Sequence, residues 1–168
     1  PAEFLGYEIG SRFTRHHNVV AYFKYVSSTV SNVKLEKYGE TNEHRPLYVS
    51  YISSKENIDN LEAIRKDNLS QTGIIKGSAV NNKAIVWLSY NVHGNEASST
   101  EAAMLTLYEL ITNKKDWLEN TIVIMDPCIN PDGRDRYVNW FNQVKSTPYI
   151  VDQNAKEHVE PWPSGRQN

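Results

Sequence analysis

Ala84-Ile85-Val86-Trp87-Leu88 and Thr121-Ile122-Val123-Ile124-Met125 are two short, almost unbroken apolar runs. Runs of this length and branching suit buried strands covered on both faces. Between them Ala102, Ala103, Leu105, Leu107, Leu110 and Ile111 recur as a broad apolar stripe, with Ser98 or Ser99 placed to cap its start. Strand, helix and strand make a βαβ unit with parallel strands and a right-handed crossover. The fold class is therefore α/β.

Working outward, Val33 to Tyr38 and Leu47 to Ile52 alternate β-branched and aromatic residues across the polar stretch from Gly39 to Pro46. They predict an antiparallel hairpin, so the sheet is mixed, with helices on both faces. One helix lies between His17 and Val30, where Val19, Val20, Tyr22, Phe23, Val26 and Val30 share a face. Another opens at Ser53, with Glu56 three positions on as a capping box, and carries Ile58, Leu61, Ile64 and Leu69. After Lys145 the chain turns polar and is broken at Pro148, Pro161 and Pro163.

A length of 168 residues suits one domain with a real core, and 18 basic against 20 acidic side chains leave a net charge of −2. No cluster of Lys and Arg supplies the footprint of phosphate-backbone binding, so nucleic acid is not an expected partner. No apolar run approaches the roughly eighteen residues of a spanning helix, so no membrane span is expected. The single cysteine, Cys128, excludes an internal disulfide and an all-cysteine metal site. Any metal must use histidine and carboxylates. The first residues carry no initiator Met and no basic-then-apolar leader, which fits either a trimmed chain or a mature end from which a signal was removed and does not decide compartment.

In an open α/β sheet, ligands bind where the chain leaves the carboxyl ends of the strands. The segments there are Ser89 to Glu96 and Asp126 to Gly133. His93 and Glu96 lie three apart at the expected start of a helix, a spacing that lets an imidazole and a carboxylate converge on one cation. The competing reading makes Glu96 a partner of the helix dipole and His93 a loop residue. Asn130-Pro131-Asp132-Gly133 reads as a turn. Tyr137, Trp140 and Phe141, among Arg134, Asp135 and Arg136, read as a packing face, and Cys128 takes no role.

These residues resemble the zinc metallocarboxypeptidases of the M14 type, most of all the large bacterial branch. Val92-His93-Gly94-Asn95-Glu96-Ala97 is similar to the family's first zinc motif, and Ile129-Asn130-Pro131-Asp132-Gly133 to the Asn-Pro-Asp-Gly loop after the next strand. Tyr38-Gly39-Glu40 and Arg45-Pro46-Leu47-Tyr48-Val49 resemble the first hairpin, so the likeness runs from about Phe13 to the last residue. It implies His93 and Glu96 as zinc ligands, with Asn130, Pro131, Asp132 and Gly133 as a structural loop beside the site. It also places Arg166 where the family's arginine binds substrate, polarises the scissile carbonyl and stabilises the oxyanion.

The implied activity is hydrolysis of C-terminal peptide bonds by metal-activated water, with peptide or protein C-termini as substrates. The resemblance further implies a third ligand histidine, an Asn-Arg pair, a tyrosine and a glutamate base, all beyond Asn168. Residues 1–168 are therefore expected to be the N-terminal portion of a single catalytic domain, inactive alone and prone to self-association through an exposed sheet edge. A related zinc amidase or peptidoglycan-trimming hydrolase, and a catalytically silent peptide-binding module, are the other readings. The branch suggests a secreted or periplasmic protein. His158 is weighed as a stand-in third ligand but reads instead as a solvated loop residue; His16 and His17, in a polar segment near a helix start, and His44, in the hairpin loop, are no stronger candidates.

Overall fold

The computed structural model describes residues 1–78, 80, 82–147 and 150–162. A four-residue helix, α1 (Ala2–Leu5), sets Phe4 against Tyr22 and Tyr25 of α2 (His16–Thr29). One mixed sheet follows, in the order β1-β2-β4-β3. As the alternation predicts, β1 (Val33–Glu40) and β2 (Pro46–Ile52) pair antiparallel. The strands β3 (Ala84–Ser89) and β4 (Thr121–Asp126) run parallel and are linked through α5 (Ser98–Thr112), the expected βαβ unit. Antiparallel pairing of β2 with β4 joins the two halves.

Period-two alternation sorts each strand between the two faces. Val33, Ile52, Val123 and Met125 point to one side and meet Val19, Tyr22, Phe23 and Val26 of α2 and Ala103, Met104 and Leu107 of α5. Each large side chain buried there contributes roughly 1.5–3 kcal/mol of apolar transfer, so this layer fixes how both helices lie on the sheet. Lys34, Tyr51, Ile122 and Ile124 point to the other side. There they line an open cavity of about 420 Å³ with Leu61 and Ile64 of a further helix, α4 (Leu61–Gln71). Helices thus occupy both faces, as expected.

Three local expectations are corrected. The run at Ala84 to Leu88 is not covered on both faces: β3 pairs only with β4 among the described residues and exposes Ile85 (38%), Val86 (40%) and Trp87 (68%). An apolar run encodes a need for cover on both faces but not which segment provides it. The helix cap is displaced by one residue. Ser54, not Ser53, caps α3 (Lys55–Asp59), accepting from the Asn57 amide, while Ser53 is fully buried and donates to the carbonyls of Leu118 and Thr121. The chain then restarts as α4 at Asn60, so two short helices replace one. Finally, neither Ser98 nor Ser99 caps α5, which begins after Ala97 with no side-chain cap.

Candidate metal centre

Because β3 and β4 are parallel and in register through Ser89 and Asp126, their carboxyl ends deliver two loops to one edge. The loops are stitched together. The Tyr90 amide donates to Asp126 O (3.0 Å), the Ile129 amide to Tyr90 O (3.0 Å) and Asn130 Nδ2 to Val92 O (3.1 Å). Asn91 takes a left-handed conformation, φ 57°, which asparagine tolerates better than most residues, and its Nδ2 donates to His93 O at 2.6 Å. The Glu96 amide also donates to His93 O, at 3.1 Å, closing a turn. That turn sets His93 Nδ1 3.0 Å from Glu96 Oε2, both side chains open to solvent. The pair converges as its spacing predicts, but on a turn preceding α5 and not on the helix itself.

The second loop is the first turn of α6 (Pro131–Val144). Asn130 is its N-cap, accepting the Gly133 amide at 3.0 Å, and Pro131 fills the first helical position, where a missing N–H costs nothing. The expected free turn is thus a helix start. Gly94 sits backbone to backbone against it: a Cβ at Gly94 would lie 2.3 Å from both the carbonyl carbon and oxygen of Gly133. Only glycine at position 94 permits the two motifs to touch.

The donor set suits the metal that the sequence suggests. Zinc is commonly held by mixed imidazole and carboxylate ligands, and here one of each presents converging atoms at the loop edge of an α/β sheet. The model of the zinc carboxypeptidase family matches residues 19–168. The chain belongs to the zinc carboxypeptidase family. A search of the curated proteins gives no match. Among solved structures, carboxypeptidase A from Helicoverpa armigera superposes with a TM-score of 0.57 at 20% identity, over 74% of this chain and 26% of that one. Bovine thrombin-activatable fibrinolysis inhibitor, solved with tick carboxypeptidase inhibitor, gives 0.54 at 16% identity, over 74% of this chain and 33% of that one. A carboxypeptidase A from Shewanella denitrificans, described as putative, gives 0.50 at 16% identity, over 74% and 27%. These likenesses carry the fold, and the chain spans a third or less of the length of each.

Around the turn that bears His93 and Glu96, the remaining motif residues are structural ties. Asp132 accepts from Thr41 Oγ1 (2.7 Å), Arg45 Nη1 (2.7 Å) and the Glu43 amide (3.3 Å). Burial alone would raise its carboxyl, but the Thr41 and Arg45 donors prevail and hold it below the usual range. Arg45 Nε also reaches Asp135 (3.1 Å), whose other oxygen accepts the His16 amide (2.9 Å) and so caps α2 from outside. On the opposite side a β-bulge between Lys37 and Gly39 re-aims Tyr38, whose hydroxyl donates to Asp126. Asp126 is buried at the end of β4, and burial pushes its carboxyl up. Burial likewise pushes the Cys128 thiol up to about 12, so it is no nucleophile.

The other histidines are accounted for, apart from the solvent-open His17 and His44. His158 is not a solvated loop residue: its ring stacks on Phe141, with Nε2 3.0 Å from Ile150 O and Nδ1 3.3 Å from the Tyr137 hydroxyl. Since Ile150 O only accepts, Nε2 is the protonated nitrogen and Nδ1 accepts from Tyr137, leaving no lone pair free for a metal. His16 is buried too, with Nε2 against Pro46 O. Tyr137 and Phe141 pack with Ala97 and Val138 as expected. A groove of about 390 Å³, lined by Asn95, Ser98, Tyr137, Gln153 and His158, opens beside the His93–Glu96 turn. No group of three His, Cys, Asp or Glu side chains that could hold a metal occurs among the described residues. Arg166 lies outside the described residues.

Sequence reasoning missed Asn91, Glu101 and the structural weight of Arg134. A signal existed: Pro131, Arg134, Val138 and Phe141 follow helical spacing, which puts a guanidinium on a buried stripe. A charge there demands a buried partner, and Glu101 supplies it.

Proposed function

We propose that this chain carries the first part of a zinc metallocarboxypeptidase site, in which His93 and Glu96 are two of the metal ligands and peptide or protein C-termini are the substrates. The convergence of His93 Nδ1 and Glu96 Oε2 to 3.0 Å, on the strand-end edge of a zinc carboxypeptidase chain, carries this reading. Bound zinc supplies a Lewis acid and a water acidic enough to ionise near neutral pH. His93 serves as a ligand in its neutral form and Glu96 as a carboxylate. Asn91 holds the His93 carbonyl, and the contact of Gly94 with Gly133 sets the distance between the two motifs. Arg166 then binds substrate and stabilises the charge that develops on the scissile carbonyl oxygen. The third ligand and the general base come from residues following Asn168, so that residues 1–168 alone do not turn over peptides.

Two broader features accompany this reading. The exposed edge and face of β3 favour self-association of this chain. No helix among the described residues is long and apolar enough to cross a membrane. We propose a secreted or periplasmic setting from the likeness to the large bacterial branch. The test uses peptides with free C-termini, zinc, and two proteins: residues 1–168 and the reading frame continued past Asn168. Mass spectrometry should show single C-terminal residues released by the longer protein only, and none after His93→Ala. Release that survives His93→Ala would overturn the assignment.

A further inference from the structure

Arg134 is fully buried and saturated with acceptors. Nε and Nη2 donate to Thr14 O at 3.0 and 2.8 Å, and Nη2 also meets Glu101 Oε1 at 2.6 Å. Glu101 in turn accepts the Thr14 amide (2.5 Å) and hydroxyl (2.8 Å). These bonds knit the segment before α2 to α5 and α6. The remaining nitrogen does something different. Nη1 donates to Asn91 Oδ1 at 2.8 Å and to Ala97 O at 2.5 Å. Those two acceptors stand immediately before and after the turn that bears His93 and Glu96. Asn91 passes the constraint on, since its Nδ2 holds His93 O while its Oδ1 is held by Arg134.

We infer that Arg134 is a positioning residue for the metal turn: one guanidinium nitrogen pins both ends of residues 91–97 and thereby fixes the separation of His93 and Glu96. The inference rests on the metal-site reading above. A planar fork with five donors can fill this role, whereas a point charge such as lysine's cannot match the same set of acceptors. Groups that orient metal ligands from outside the coordination sphere typically change metal affinity by about 10–100-fold when removed. The Glu101 carboxylate meets the guanidinium at Nη2, not at the nitrogen that holds the turn, and its other hydrogen bonds go to Thr14, so the two partners of one ion pair should differ in effect.

The experiment is zinc titration of residues 1–168, followed by NMR at the His93 ring and the amides of residues 92–96, beside thermal melts. Glu101→Gln, which keeps an acceptor for Arg134, should lower stability yet hold zinc affinity within about twofold of the parent. Arg134→Met combined with Glu101→Gln avoids a stranded charge; it should weaken zinc about tenfold and shift the 92–96 amides even without zinc. If that protein does not fold, Asn91→Gly, which keeps the left-handed backbone and removes the relay, should give the same loss. Equal affinities in the parent and the Arg134 or Asn91 variant would overturn the positioning role alone, as would a loss in Glu101→Gln matching that of the double variant. Zinc binding in the parent that ignores His93→Ala would instead overturn the metal-site reading and, with it, this inference.

Discussion

Gly94 and His16 show how a single residue can be constrained by neighbours remote in sequence. At Gly94 an added methyl would overlap the backbone of Gly133, which is held in turn by the Asn130 cap, so nothing nearby can yield. Gly94→Ala should cost about 2–3 kcal/mol in urea unfolding and weaken zinc binding by separating the two motifs. His16 is buried at the start of α2, and burial drives its ring below the ordinary histidine value, against the opposing pull of Pro46 O and Asp135. Between that lowered value and about 6.5 the unfolded chain binds more protons than the folded one, so stability rises with pH through this window and falls on acidification. Denaturation midpoints at pH 7.5 and 5.0 should show the loss, at most about 1.4 kcal/mol per pH unit, and His16→Gln should flatten it. The convergence of His93 and Glu96 was legible because a three-residue spacing brings side chains together in a turn as well as in a helix. The burial of His16 was not, since its cover comes from Pro46 and Asp135, 30 and 119 positions away.

At the level of elements, the periodic segments could be read and their junctions could not. The helix at α2, the hairpin and the βαβ unit follow from apolar spacing alone. The exchange of Ser53 for Ser54 as the cap of α3 came from tertiary demand: the Ser53 hydroxyl is taken by Leu118 and Thr121, leaving Ser54 to the helix. Asn130-Pro131-Asp132-Gly133 is ambiguous locally because the residues that favour a turn also favour a helix start. What distinguishes them here is Arg45, which ties the β1–β2 loop to α6 through Asp132 and Asp135. Arg45→Met would leave those two carboxylates facing each other without a cation. It should cost about 1–2 kcal/mol, partial exposure moderating the loss, and should speed amide exchange in residues 41–45.

The whole molecule has one well-filled side and one open side. The layer between the sheet and α2 with α5 is closed, while Trp87, Ile85 and Val86 of β3 stand exposed on an edge strand. Sequence marks this strand as one that requires cover, and the chain spans about a quarter to a third of the length of these structural relatives. Sedimentation of residues 1–168 should therefore reveal concentration-dependent association, reduced by Trp87→Lys, which places a charge on the edge. A sedimentation coefficient independent of concentration would show that the edge does not mediate contact.

The claim that the rest depends on is that the turn at His93 and Glu96 binds zinc. Calorimetric titration of zinc into residues 1–168, beside His93→Ala, tests it most directly. One-to-one binding, weak because two side chains supply the ligands, and lost in the variant, is the expected result. Binding unchanged by His93→Ala would contradict it.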